Sequence, residues 1–232
     1  MQKCEKNYRD LPDYDRLVAR WLENYDSANY DGGLAARILT KTHGLIESPF
    51  GPEVSYPQVL EVGAGTMAHF PFVRHRFDLY VASDFDQSVL NALHKKPLPE
   101  KVELQKLDGC SLPFADDSFD RLIATHVLEH IPSPHLAIRE WVRVIKPGGV
   151  LSLILPCDPG MAWRAGRYLG PRKKAELAGL PYDYFMAREH VNSIYSLHQI
   201  LSYHFTKREV TWWPFRVPIP DLNLIYAGNF YV

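Results

Sequence analysis

The stretch "VLEVGAGTMAHF", residues 59–70, places Gly63, Gly65 and Ala68 at the spacing of a glycine turn that leads from a strand into a helix. Such a turn lets backbone approach a ligand closely and presents free N–H groups to a phosphate or a carboxylate alike. Glu61 stands inside the apolar run just before the first glycine, where a carboxylate is costly. A second acid, Asp84, ends the next apolar run about twenty residues on, where an acid can accept both ribose hydroxyls. Phe85 beside it offers a flat apolar face for an adenine ring. A third acid, Asp108, opens "DGCSLPFADDSFD" and can accept from an exocyclic amine, with the Gly109–Cys110 backbone lining the same pocket. Each acid also has a plainer reading, Asp84 as a helix N-cap and Asp108 as a turn residue.

The elements that must position these residues follow from periodicity. "QVLEV", "DLYVAS", "VELQKL", "FDRLIAT" and "VLSLIL" read as five strands. The helix-like "DQSVLNALHKK" and "PHLAIREWVRVI" lie between them. "VLSLIL", apolar throughout, fits a strand buried on both faces. Strands alternating with helices imply a parallel sheet with right-handed crossovers. In such sheets ligands bind beyond the carboxyl ends of the strands, where the three acids fall.

The end of the chain breaks that rhythm. Residues 156–195 form a long polar and aromatic insertion, followed by the helix-like "SLHQILSYHF". "REVTWWPF" and "NLIYAGNFYV" then come with only a short proline-rich connection, which predicts an antiparallel pair. Ahead of the sheet, residues 1–50 read as helical: "YDRLVARWLENY" places Leu17, Val18, Trp21, Leu22 and Tyr25 near one face, and "GGLAARILTKTHGLI" follows.

Jointly these motifs resemble the class I S-adenosylmethionine-dependent methyltransferases, in their small-molecule branch. E-x-G-x-G, an acid–aromatic pair ending the second strand, "DGCSLPFADDSFD", "HVLEHI" and "IKPGG" occur in that family's order over roughly residues 55–155. The resemblance implies an α/β, Rossmann-like fold. Its mainly parallel seven-stranded sheet ends in a C-terminal antiparallel hairpin. A helical N-terminal cap (1–50) precedes a methyltransferase domain (51–232) with an acceptor-lid insertion at about 156–195. It also explains Glu61, because S-adenosylmethionine carries an ammonium and a sulfonium but no phosphate. By position, Glu61 helps orient the loop and the amino-acid end of the cofactor, and Gly63 and Gly65 contact it. Asp84 holds the ribose, Phe85 the adenine face, and Asp108 with Gly109 and Cys110 the adenine edge. His126 falls beside the methionine portion and methyl group, and Tyr25 and Tyr30 close over the cofactor. The chain departs from the family at Met67, where a third glycine is common.

An acceptor must lose a proton, and a histidine near neutral pKa can take it. His126 is the candidate from the cofactor side and His190, in the insertion, from the acceptor side; His69 is weaker. The plainer reading of Glu129 and His130 is hydrogen-bonded scaffold, and of His190 an anchor for the following helix. Arg164 and Arg167, in the aromatic-interleaved "WRAGRYLGPRKK", are candidates for an anionic acceptor such as a phosphate-bearing or lipid-linked sugar, against a solvated helical face. "LPCDPGMAWR" and "YDYFMAREH" are loosely similar to methyltransferases of bacterial sugar and surface-polysaccharide biosynthesis. The expected reaction is methyl transfer to a small polar acceptor, an oxygen before a nitrogen or carbon. A nicotinamide oxidoreductase and a non-catalytic methyltransferase-like partner subunit are the rivals.

Composition bounds the rest. The 232 residues carry a formal charge of −1, which gives no global attraction for duplex nucleic acid. Three scattered cysteines, Cys4, Cys110 and Cys157, argue against a disulfide framework or structural zinc, and no carboxylate pair stands out as a magnesium site. With no apolar run near the ~18 residues that span a bilayer, the expectation is a cytoplasmic protein, at most peripheral to the inner membrane surface.

Overall fold

The computed structural model describes residues 17, 34–95 and 97–232. Tyr25 and Tyr30 lie outside them. Helix α1 (Leu34–Glu47) leads into β1 (Gln58–Val62), β2 (Leu79–Asp84), α2 (Gln87–Leu93), β3 (Val102–Lys106) and β4 (Phe119–Thr125). Then come α3 (Pro134–Val144), β5 (Ile145–Pro156), α4 (Met161–Leu169), α5 (Pro171–Leu177), α6 (Tyr182–Glu189) and α7 (Ile194–His204). Strands β6 (Arg208–Trp213) and β7 (Ile225–Tyr231) close the order. The seven strands lie in the order β3-β2-β1-β4-β5-β7-β6. The first five are parallel, and β7 pairs antiparallel with both β5 and β6. The order reverses at β1, with β2 on one side and β4 on the other, so the glycine turn sits at the topological switch point.

Alternation along the strands sorts two cores. Leu60, Val62, Leu122, Leu151 and Leu153 point to the face covered by Trp141 and Ile138 of α3 and Leu197 and Leu201 of α7. Val59, Tyr80, Ala82, Ile123 and Ile154 point to the opposite face, which Ile46 of α1 covers. Strand β5 is buried on both faces from Val150 to Pro156, as its unbroken apolar run predicts. The "IKPGG" motif is absorbed into β5 as an irregularity: pairing jumps from Phe119–Ile145 to Arg121–Val150, and Gly148 takes φ +81°.

The insertion folds as α4, α5 and α6. Its own small core joins Ala175, Leu180, Tyr182, Phe185 and Met186 to Leu17 from the first helical stretch. Asn192, just beyond α6, fastens this segment to the sheet. Its Nδ2 donates to the carbonyls of Leu128 and Ile131 at 3.0 and 2.6 Å, and its backbone N–H donates to Glu129 at 3.1 Å.

Candidate active site

Strand β1 delivers the chain into a turn with three left-handed residues: Gly63 (φ +68°), Gly65 (φ +53°) and Met67 (φ +61°). Glycine takes this conformation freely, while at Met67 it costs about 1–2 kcal/mol. The third glycine of the resembling family would relieve strain at that position. A Cβ on Gly63 would lie 2.4 Å from Cγ2 of Val127, so the turn and the loop after β4 pack in direct contact.

Asp84 ends β2 and ties the two strand ends together. Its Oδ2 accepts the Gly65 backbone N–H at 3.0 Å and its Oδ1 accepts that of Asp86 at 2.9 Å. Each oxygen keeps a lone pair for a further donor. The helix N-cap is Asp86, which accepts from Ser88 N–H at 2.7 Å, so capping does not consume Asp84. Phe85 stands 70 % exposed beside it. At the end of β3, Asp108 Oδ1 accepts the Cys110 N–H at 2.8 Å and shapes a turn, as its plainer reading expected. Gly109 packs closely there: a Cβ would meet Val62 Cγ1 at 2.9 Å, and its backbone carbonyl accepts from Trp141 Nε1 at 2.7 Å. Asp108, Asp84 and Gly63 thus follow the carboxyl ends of three adjacent strands.

Glu61 is 1 % exposed beneath the turn. Oε2 accepts from Tyr80 Oη at 2.7 Å and Oε1 has no partner. Burial raises its pKa, against the opposing effects of His69 and the Tyr80 hydrogen bond.

On the other side of the switch point, the loop after β4 opens with His126 at φ +58°. Its Nδ1 lies 3.5 Å from Oε1 of the buried Glu129, and its Nε2 has no partner. Burial opposes ionisation of Glu129, but His126 and His130 together hold its pKa below the ordinary value. From the insertion, His190 presents Nδ1 to Asp158 Oδ2 at 2.7 Å. The same oxygen takes Arg167 Nη1 at 2.9 Å, and the guanidinium lies over the Tyr182 ring at 5.2 Å. Asp158 is itself buried, yet its hydrogen bond from His190 and the charge of Arg167 lower its pKa. Arg164 is exposed.

Residues 60–153 match a family described as a methyltransferase domain. An uncharacterized methyltransferase of Mycolicibacterium vanbaalenii is 27 % identical over 198 residues, which cover 78 % of this chain and 73 % of the relative. One from Mycobacterium marinum is 30 % identical over 165 residues, 69 % of this chain and 65 % of the relative. The chain thus spans about two thirds of the length of these relatives. A Thermotoga maritima S-adenosylmethionine-dependent methyltransferase, a possible histamine N-methyltransferase, superimposes with a TM-score of 0.60 at 15 % identity, covering 93 % of this chain and 98 % of its own. The N-methyltransferase NodS of Bradyrhizobium japonicum, solved with S-adenosylhomocysteine, does so at 0.57 and 17 % identity, covering 94 % and 97 %. Residues 60–153 are thus a methyltransferase domain, on the fold of S-adenosylmethionine-dependent methyltransferases.

Beneath the glycine turn this methyltransferase carries a buried ionic network that sequence reasoning missed. Glu47 of α1 meets Arg121 of β4 at 2.7 Å and His69 Nε2 at 2.8 Å. Arg121 Nε donates to Ser152, which donates to Asn229, and Phe50 stacks on the guanidinium at 4.5 Å. Burial alone would raise the Glu47 pKa; the His69 hydrogen bond and Arg121 outweigh it and bring it to about 2. His69 is therefore committed to this network. The missed signal was Arg121 itself, a charge inside an apolar strand just as Glu61 is. Asp158 was missed too, though an acid two residues beyond β5 stands at the sheet edge where α/β folds bind ligands.

Proposed function

We propose that this methyltransferase moves the methyl group of S-adenosylmethionine to a small polar acceptor, a hydroxyl of a sugar, glycan or related metabolite, held between the loop after β4 and the inserted helices. One observation carries the reading. The cofactor-type acids Asp84 and Asp108 and the histidines His126 and His190 stand at the carboxyl edge of one sheet, on opposite sides of its switch point.

The residues fit the cofactor chemically. Asp84 has lone pairs left for the ribose hydroxyls, Phe85 an open ring face for adenine, and Asp108 with the Gly109–Cys110 backbone an edge for the exocyclic amine. Glu61 suits the ammonium of the amino-acid end, Gly63 and Gly65 let backbone approach it, and Tyr25 and Tyr30 are proposed to cover it. Bound, the cofactor supplies an electrophilic methyl on a sulfonium, which departs as a neutral thioether. The protein's task is then alignment, which can supply several kcal/mol of the barrier. His126, with an unpartnered buried Nε2, and His190, oriented through Nδ1 by Asp158, are the candidates to receive the acceptor's proton. Left-handed backbone at a non-glycine residue, as at His126, is the strain that functional positions tend to hold.

A lipid-borne acceptor is the second reading. A Cereibacter sphaeroides phosphatidylethanolamine N-methyltransferase is 31 % identical over 101 residues, 42 % of this chain and 49 % of that protein. Met161, Ile219 and Leu222 are exposed near the inserted helices, where Asp221 accepts the Met161 N–H at 3.0 Å. The exposed Arg164 would then face an anionic headgroup, while Arg167 stays paired with Asp158. Among the described residues no helix is long and apolar enough to cross a membrane.

Calorimetry with S-adenosylmethionine, S-adenosylhomocysteine and NAD, repeated on Asp84→Ala, tests the cofactor half. Micromolar binding of the first two, lost in the variant, is expected; binding of NAD alone would overturn it. Acceptor screening by mass gain of one methyl, with and without anionic vesicles, separates the two acceptor readings.

A further inference from the structure

Glu129 and His130 follow β4, and His190 follows α6, sixty positions later in the chain. One donor atom from each lies within 4.8 Å of the other two, and the two imidazoles meet edge to face with centroids 5.0 Å apart. Asn192 clamps the two segments together through three hydrogen bonds, so the encounter is set by backbone as well as side chains.

The donor state of these groups is unusual for mere scaffold. Glu129 is 1 % exposed, yet its Oε2 has no hydrogen-bond partner. A buried carboxylate oxygen with nothing to accept is costly, and His126 near Oε1 does not relieve it. Both histidines face carboxylates through Nδ1: His190 meets Asp158 at 2.7 Å and His130 meets Glu189 at 3.6 Å. Nε2 is then the ring nitrogen away from the carboxylate in each. A carboxylate behind a histidine fixes its tautomer and raises its basicity, the outer shell that metal-ligating histidines almost always have.

We propose that Glu129, His130 and His190 form a site for a divalent transition ion of the zinc, manganese or iron class, with Asp158 and Glu189 as its outer carboxylates. Two imidazoles disfavour magnesium and calcium, which take oxygen ligands. Three protein ligands leave coordination positions open, so an acceptor oxygen is the fourth partner. In this arrangement His190 is a ligand, and the acceptor's proton falls to His126. The site is defined by its ligands and stands whatever the acceptor proves to be.

The full chain, stripped with chelator, would be titrated calorimetrically with Zn²⁺ and Mg²⁺, and with Co²⁺ while following its visible absorption. One equivalent of Zn²⁺ at micromolar affinity or tighter is expected, with Co²⁺ bands in the visible and no comparable Mg²⁺ binding. His190→Ala and Glu129→Gln should each weaken Zn²⁺ at least 100-fold, and Asp158→Asn about 10- to 100-fold. Absence of saturable binding, or binding that His190→Ala leaves unchanged, overturns the proposal. His190 is only partly buried, so its variant decides the matter if the fully buried Glu129→Gln fails to fold by circular dichroism. S-adenosylhomocysteine binding to the stripped protein reads the cofactor site separately, which keeps failure of the metal site distinct from failure of the methyltransferase reading.

Discussion

Oδ2 of Asp84 accepts the Gly65 backbone N–H at 3.0 Å, so the acid that ends β2 also braces the turn that follows β1. Asp84→Ala removes the brace and, with it, the proposed acceptor for two ribose hydroxyls. Charge-assisted hydrogen bonds contribute about 1.5–3 kcal/mol. S-adenosylhomocysteine affinity should therefore fall by one to two orders of magnitude or more in calorimetry. Unchanged affinity would remove Asp84 from the ribose site.

Gly63 meets two constraints at once, a φ of +68° and the Val127 side chain. Gly63→Ala should cost about 1–2 kcal/mol for the left-handed backbone alone and weaken cofactor binding by displacing the turn. Adding Val127→Ala should recover the part due to the clash but not the backbone part. Denaturant unfolding of the single and double variants separates the two.

Arg121 and Glu47 are both buried, so removing one strands the other. Arg121→Met should destabilise by about 3–5 kcal/mol, and adding Glu47→Gln should restore much of the loss. A urea-unfolding double-mutant cycle measures this. Additive losses would show that the pair is not coupled.

Burial, and next the neighbouring His69, push the His43 pKa down to about 3 from 6.5. Burial and Arg121 bring His75 to about 4. Below pH 6.5 the unfolded chain takes up protons at these residues that the folded chain refuses. Their contribution is complete above about pH 6.5 and is lost as pH falls toward 3–4. Each adds a slope approaching 1.4 kcal/mol per pH unit between its two pKa values. Urea midpoints between pH 7 and 5 should fall accordingly, and His43→Gln should flatten the slope.

Cys110 is exposed, with its thiol pKa raised by partial burial and by Asp108, whereas burial pushes Cys157 up to about 12. Peptide mapping after native alkylation should find Cys110 modified slowly and Cys157 untouched. Saturating S-adenosylhomocysteine should slow Cys110 several-fold if the Gly109–Cys110 segment lines the adenine pocket. No protection would remove Cys110 from it.

The strands, their helices and the terminal antiparallel pair were legible because they rest on local periodicity. "FDRLIAT" became β4 over Phe119–Thr125 with its predicted boundaries, and the apolar "VLSLIL" lies within β5, buried on both faces. The acids at the strand ends were equally legible, because parallel α/β topology sends every strand's carboxyl end to one edge.

What distance along the chain hides, only tertiary structure decided. Asp86 rather than Asp84 caps α2, a matter of two residues and one backbone turn. His69 looked like a possible site residue, and Glu47, 22 positions earlier, claims it for the core. Glu129 and His130 read as scaffold and His190 as a candidate base or an anchor, and only the packing of the inserted helices shows that their donor atoms lie within 4.8 Å of one another. Sequence determines which residues share a strand or a helix face, because those periods are local. Which charges meet depends on packing between segments tens of residues apart, where burial and desolvation are set by the whole fold.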